Sequence, residues 1–318
     1  MRVLLTTTSY QDAPGPHHDL LAEQNYQIQR ERGPLAEERM LELAGEFDAF
    51  LCGDDEITKA VIAKSLPRLR VISKYGVGLD KIDVAECTKR RLPVLYTPGT
   101  NHVSVAEHTF CLLLALARHL VESANSVRDG KWLRLTGHEL AGKSLGIFGL
   151  GRIGQEVAKR AVAFGLKVHA VNRHWPDAFA KDYGVTHHDK IESMITQVDI
   201  LSLHAGLSDK TRHLLNARTL ALAKPRLLLI NTARAELVNA PDLIAALDAE
   251  QLAGYAADVM EQEPPHPENP LLKHPRVIIT PHIGSKTFES IPRQAMRATL
   301  NLINYLNGDT DFIQANPF

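Results

Sequence analysis

The chain is predicted to be an α/β protein built from two parallel-sheet domains, Rossmann-like or flavodoxin-like. Three observations predict it. Short β-rich runs alternate with helical patterns along nearly the whole length, which is how βαβ units and a parallel sheet are written. A glycine loop, Gly149-Leu150-Gly151-Arg152-Ile153-Gly154, stands between one such run and a helical pattern. At 318 residues the chain also exceeds one typical core, so two domains are the default expectation.

The first third supplies strands at Val3–Thr6, Ala49–Cys52, Leu69–Ser73 and Val94–Tyr96, with helices at Leu35–Ala44, Ala60–Lys64 and Val84–Arg90. Thr97-Pro98-Gly99-Thr100-Asn101 interrupts that series. A helix follows over Val103–Leu120, with Asn101 or Ser104 able to cap its start. Its stretch Phe110–Ala117 is apolar on more than one face, which argues for burial between layers. The glycine loop comes after the strand Ser144–Phe148. Four helices, Gln155–Phe164, Ile191–Gln197, Asn216–Ala223 and Pro241–Ala249, then alternate with strands at Lys167–Val171, Ile200–His204, Leu227–Asn231, Gly254–Val259 and Val277–Thr280. The last helix, Ile291–Leu306, has no strand left to pair with and is expected to return to the first domain. The expected division is 1–98 plus 286–318 and, between them, 99–285.

Composition sets further bounds. Apolar residues are 44% and charged residues 23%, ordinary for a globular protein. A net charge of −1 gives no bulk electrostatic reason to expect nucleic acid or an acidic membrane as partner. The longest apolar segment, Phe110–Ala117, falls short of the roughly 20 residues that span a bilayer. The N-terminal apolar stretch is too short for a signal peptide. Cys52, Cys87 and Cys111 form no CxxC pair, so no metal site is expected, and reduced thiols fit a cytoplasmic location.

The glycine loop has the context that a dinucleotide site needs. Gly149 permits the tight turn, Gly151 lets a pyrophosphate approach the backbone, and Gly154 lets helix and strand pack closely. The helix N-terminus adds unpaired N–H groups and a positive dipole. About 20 residues on, a carboxylate would accept from a ribose 2′-hydroxyl and select NAD. Here the strand ends in Asn172-Arg173-His174 instead. Asn172 leaves room for an added phosphate and Arg173 can meet it, so NADP(H) is favoured over NAD(H). The alternative is that Arg173 is a solvated surface charge and NAD still binds.

Three further residues each follow an apolar run: Arg234, Glu263 and His282. In an open parallel sheet ligands sit outside the carboxyl ends of the strands, so these side chains are expected to converge on the dinucleotide. A carboxylate such as Glu263 beside His282 favours the imidazolium that a general acid requires. The guanidinium of Arg234 fits a carboxylate and can polarise an adjacent carbonyl. The set points to hydride transfer to a carbonyl. Taken singly, each is equally well read as a strand-end salt bridge, a loop acid or a structural histidine, one of fifteen in the chain.

With these residues in place the chain resembles the D-isomer-specific 2-hydroxyacid dehydrogenases, nearest their 3-phosphoglycerate dehydrogenase-like branch. The carriers are Lys74 to Asp80, Asn101 to Glu107, Gly149 to Gly154, Leu203 to Ala205 and Thr211 to Leu214, then Asn231 to Arg234, Asp258 to Pro264 and Pro281 to Gly284. The resemblance implies Arg234 as substrate clamp, Glu263 as partner of the histidine and His282 as acid/base. It implies that Arg152, Ile153, His204, Thr232, Ala233, Asp258 and Gly284 line the cofactor. It implies a substrate site from Lys74, Tyr75, Gly76, Val77, Gly78 and Asn101, the glycine turn forming an anion-binding nest. It further implies a homodimer formed through the nucleotide-binding domain and an active-site cleft between the domains.

Three departures stand out: Asn172 where relatives carry Asp, Ala235-Glu236 in place of a glycine pair, and Gly206 in place of proline. The chain ends at Phe318, so the regulatory C-terminal domain of longer relatives is not expected. Lys74 is read either as a contact for a distal phosphate or second carboxylate, or as a solvated strand-end lysine. The expected substrate is a 2-hydroxy or 2-keto acid such as 3-phosphoglycerate, glycerate, hydroxypyruvate or glyoxylate. The competing readings are phosphite or formate oxidation on the same fold, and a dinucleotide-sensing, corepressor-like scaffold.

Overall fold

A computed structural model describes residues 1–318. The chain divides into two compact units, Met1–Asn101 with Ser285–Phe318, and His102–Gly284.

In the first unit five strands, β1 (Arg2–Leu5), β2 (Gln27–Arg30), β3 (Ala49–Cys52), β4 (Val71–Lys74) and β5 (Val94–Leu95), form a parallel sheet in the order β2-β1-β3-β4-β5. Side chains alternate across a strand, and here both faces are covered. Val3, Leu5, Ala49, Leu51 and Val71 pack on one side with Ala295, Ala298 and Leu302 of the helix Ser290–Asn307. Leu4, Phe50, Cys52 and Ile72 pack on the other with Met40, Val61 and Ile62. That final helix is tied to the sheet by Ser73, whose hydroxyl donates to the Ala298 carbonyl at 2.7 Å.

In the second unit seven strands follow: β6 (Ser144–Phe148), β7 (Lys167–Val171), β8 (Thr186–His187), β9 (Ile200–Leu203), β10 (Leu227–Asn231), β11 (Leu252–Ala257) and β12 (Val277–Ile279). Their order is β12-β11-β10-β9-β6-β7-β8, all neighbours parallel. Chain direction across the sheet reverses between β6 and β9, which is where a doubly wound sheet opens a crevice at its carboxyl end. The helix His102–Ala117 lies against this sheet, with Phe110, Leu112, Leu113, Leu116 and Ala117 buried beside Ala158 and Ala161 of the helix Arg152–Ala163.

Several details differ from expectation. The helix thought to reach Leu120 stops at Ala117, because His119 takes a left-handed conformation (φ 49°) and starts a second helix, Leu120–Arg128. Ser104 thus lies inside the first turn of the longer helix. The helix read at Asn216–Ala223 is a single turn, Ala217–Leu220, capped by the Asn216 side chain. Strand β2 and the edge strand β8, and the helices Thr8–Asp12, Pro16–Ala22 and Asp177–Asp182, carry no clear apolar period and escape a sequence reading. No single helix is long and apolar enough to cross a membrane.

Candidate active site

The glycine loop links β6 to the helix Arg152–Ala163, and each glycine is fixed by what a side chain would strike. At Gly149 (φ 101°) an added Cβ would lie 2.7 Å from the backbone of His204 and Ala205, at the end of β9. At Gly154 it would lie 2.1 Å from the Gly149 carbonyl oxygen. At Gly151 it would meet nothing within 4 Å, so this side of the loop is open. The Gln155 N–H donates to the Gly151 carbonyl at 2.8 Å. The N–H groups of Arg152, Ile153 and Gly154 therefore precede the first intrahelical bond, as an anion site requires. An open backbone beside a helix start at the switch point fits a dinucleotide pyrophosphate.

Asn172, at the end of β7, is bound into this loop. Its amide oxygen accepts from the Leu150 N–H at 2.9 Å, and its amide nitrogen donates to the His174 carbonyl at 2.5 Å. Arg173 is exposed, its Nε donating to His174 Nε2 at 3.0 Å.

Across the switch point His204 is held from both ring nitrogens. Ser202 Oγ lies 2.8 Å from Nε2 and Thr232 Oγ1 lies 3.5 Å from Nδ1. Thr109 donates to the Val105 carbonyl, so it accepts from Thr232 at 3.0 Å, and Thr232 in turn accepts from the imidazole. That order places the ring proton on Nδ1 and leaves Nε2 to accept from Ser202. Desolvation pushes the His204 imidazole down to about 3, so the ring is neutral.

Arg234 follows β10 through a turn built by Asn231, which is fully buried. The Asn231 amide oxygen accepts from the Ala233 N–H at 3.1 Å and its amide nitrogen donates to the Arg234 carbonyl at 2.8 Å. The Arg234 guanidinium also donates to the Ala233 carbonyl at 2.8 Å. Ala235–Leu237, where relatives were expected to carry glycines, closes as a 3-10 turn.

His282 and Glu263 meet, although they lie in different loops. His282 Nδ1 is 2.8 Å from Glu263 Oε2, and the other carboxylate oxygen accepts from the Met260 N–H at 2.9 Å. His282 has φ 53°, a left-handed conformation uncommon for a residue with a side chain. Asp258 holds it there. One carboxylate oxygen accepts from the Thr280 hydroxyl at 2.6 Å and the Ile283 N–H at 2.9 Å; the other accepts from the Gly284 N–H at 2.7 Å. His108 Nε2 reaches Thr280 Oγ1 at 2.9 Å and Asp258 at 3.3 Å. Burial pushes the Asp258 carboxyl up, but donation from His108, Thr280, Ile283 and Gly284 outweighs it and holds the group below the usual range.

Asp258, expected to line the cofactor, uses its oxygens to fasten the loop that carries His282. His108, Thr280 and Asn231 were not singled out as site residues. Their signal, a polar residue in an otherwise apolar element, is common in any core.

In the first unit the substrate-binding expectations divide. The Gly76 N–H donates to Thr97 Oγ1 at 2.9 Å and its carbonyl accepts from Thr97, so this donor is already used. The Tyr75 ring is buried in the core, with its hydroxyl 3.4 Å from Gln294. Asn101 is buried at 8% exposure. Lys74 is not a solvated lysine: its side chain is 2% exposed and donates to the Gly53 carbonyl and to Asp54, both at 2.6 Å.

Residues 110–284, more than half of the chain, match the sequence model of the D-isomer specific 2-hydroxyacid dehydrogenase, NAD binding domain. The chain belongs to the D-isomer specific 2-hydroxyacid dehydrogenase family. It is 39% identical to a glyoxylate reductase of Thermofilum pendens over 87% of this chain and 83% of the relative. It is 38% identical to a D-3-phosphoglycerate dehydrogenase of Bacillus subtilis over 82% of this chain, which spans 50% of that longer protein. A D-lactate dehydrogenase from Aquifex aeolicus, solved with NAD and lactic acid, superposes with a TM-score of 0.88 at 26% identity, over 99% of both chains.

Proposed function

We propose that this member of the family reduces a small 2-keto acid to the D-2-hydroxy acid, with His282 as proton donor and Arg234 as carboxylate clamp. The observation that carries the reading is the 2.8 Å contact between His282 Nδ1 and Glu263, which leaves Nε2 as the ring's other proton-bearing nitrogen. A bound nicotinamide dinucleotide supplies the hydride. The chain's own residues do the rest. Glu263 sets the tautomer and orientation of the imidazole, and His282 Nε2 gives its proton to the carbonyl oxygen. Arg234, presented by the Asn231 turn, holds the substrate carboxylate and steadies the charge that develops beside it. The N–H groups of Val77 and Gly78 are the anion-binding donors we assign to the first unit's glycine turn.

NADPH is the cofactor we favour. Asn172 offers no carboxylate to a ribose 2′-hydroxyl, its amide oxygen is engaged by Leu150, and exposed Arg173 is available to a 2′-phosphate. A homodimer is supported by an apolar face on the second unit: Leu120 (58% exposed), Val127 (53%) and Trp132 (80%) lie open on the helix Leu120–Arg128 and the segment after it. All three cysteines are free, as a reducing cytoplasm leaves them.

The test is oxidation of NADPH and NADH with glyoxylate, hydroxypyruvate and pyruvate. Turnover with at least one acid, faster at equal low concentrations of NADPH than of NADH, supports both assignments. No turnover with any of them removes the catalytic reading, and a preference for NADH removes the role given to Arg173.

A further inference from the structure

We propose that His108 and Thr109, neighbours on the helix His102–Ala117, are a pair of positioning residues: His108 fixes the loop of the proton donor His282, and Thr109 fixes the loop of the carboxylate clamp Arg234. This rests on the roles proposed above for His282 and Arg234 and adds the residues that place them.

Consecutive residues of a helix point about 100° apart, so adjacent side chains reach different neighbours. Here His108 reaches Thr280, just past β12, and Thr109 reaches Thr232, just past β10. Thr280 has one hydroxyl proton, and it goes to the Asp258 carboxylate at 2.6 Å, which can only accept. Thr280 Oγ1 therefore accepts from His108 Nε2 at 2.9 Å, so that nitrogen carries a proton, aimed also at Asp258 at 3.3 Å. The carbon edge of the same ring borders the other end of the loop. A Cβ built on Gly284 would lie 3.5 Å from His108 Cδ2 and 2.9 Å from Asp258 Oδ2. One imidazole thus meets both ends of the stretch Thr280–Gly284 that contains His282.

Thr109 is 1% exposed. Its hydroxyl donates to the Val105 carbonyl at 2.8 Å and accepts from Thr232 at 3.0 Å. Thr232 directly precedes Ala233 and Arg234, inside the turn that Asn231 closes through the Ala233 N–H and the Arg234 carbonyl. Asn231 sets the shape of that turn; Thr109 sets where it stands against the helix. Two loops from different strands therefore take their position from adjacent residues of one helix. A single keto acid must meet His282 at its carbonyl and Arg234 at its carboxylate, and a misplacement of an ångström can lower a rate about a hundredfold.

The experiment compares wild type, His108→Leu, His108→Gln, Thr109→Val and Thr109→Ser in steady-state reduction of glyoxylate, hydroxypyruvate and pyruvate, and in amide hydrogen exchange. His108→Leu removes the donor and should lower kcat by about tenfold or more with KM little changed, and His108→Gln, which keeps an N–H, should recover most of the loss. Thr109→Val should act mainly through KM, raising it about tenfold, and Thr109→Ser should restore it. The Ile283 and Gly284 amides should exchange about tenfold faster or more in His108→Leu but not in Thr109→Val, and the Ala233 amide should do the reverse. Thermal unfolding of each variant separates these local openings from a global loss of stability. Unchanged kinetics, the same change in kcat and KM from both His108→Leu and Thr109→Val, or no recovery by Gln and Ser overturns the pair. A wild type that reduces none of the three acids defeats instead the reductase reading, and the exchange pattern then supports or overturns the pair as the fastening of the two loops.

Discussion

A histidine with φ 53° pays a conformational cost of about 1 kcal/mol or more, and it persists only where its surroundings over-determine it. At His282 the surroundings are Asp258, which takes the N–H groups of Ile283 and Gly284, and Glu263, which takes the ring. Two expectations follow at this scale. Asp258→Asn puts an amide where two backbone donors now find a carboxylate. It should lower stability by about 2 kcal/mol, the worth of hydrogen bonds to a buried charge, and lower kcat with it. Denaturant unfolding with parallel kinetics checks both. Glu263→Gln keeps the shape but removes the charge facing the imidazole. It should reduce kcat by at least about tenfold and move the alkaline limb of the pH–rate profile to lower pH, while leaving cofactor affinity unchanged. An identical pH profile would show that Glu263 does not act on His282. Residues of this kind were partly legible in the sequence. Arg234, Glu263 and His282 stand just past apolar runs, whereas His108 and Thr280 act through contacts distant in the chain, which no local pattern records.

Elements were read best where burial dictates the pattern. Strand β3 is apolar at all four positions and coincides with its predicted span, since both faces of a parallel strand are covered. The last helix, expected at Ile291–Leu306 and returned to the first domain for lack of a strand to pair with, is found at Ser290–Asn307. Strand β2, Gln-Ile-Gln-Arg, was missed because an edge strand need not be apolar, and only Ile28 of its four residues packs against the core. The glycine loop allows a sharp test. Gly154→Ala forces a Cβ to 2.1 Å from the Gly149 carbonyl, a distance no contact tolerates. The helix must shift from β6, so dinucleotide affinity should fall by at least about tenfold and the unfolding midpoint should drop. Fluorescence titration with NADPH measures the first. Gly151→Ala, which meets nothing within 4 Å in the protein itself, should leave the midpoint within a degree or two and affect only binding.

For the whole molecule, buried and half-buried histidines contribute to the response to acid. Burial and neighbouring cations depress His169 and His188, whose rings share a 3.0 Å contact, and desolvation pushes His204 to about 3. Each folded-state value lies below the ordinary 6.5, so the folded chain binds fewer protons than the unfolded one. The stability these rings contribute is complete above about pH 6.5 and is lost progressively as pH falls toward the folded values. The thermal midpoint should be level from pH 7 to 8 and should decline between pH 6.5 and 5. A midpoint flat across that interval would contradict the assignment of these rings as neutral in the folded chain.

Fold class followed from alternation and one loop, and the candidate trio was picked out by position relative to strands. The fate of Lys74 did not follow, because a neutralising partner from a neighbouring strand is invisible along the chain. The central claim is that His282 delivers the proton that accompanies hydride transfer. Rapid mixing of enzyme and NADPH with glyoxylate, or with whichever acid the wild type reduces best, tests it most directly in wild type and His282→Gln. The account predicts a fall of about a hundredfold or more in the single-turnover rate, with the NADPH dissociation constant unchanged. A variant that oxidises NADPH within threefold of the wild-type rate would contradict it.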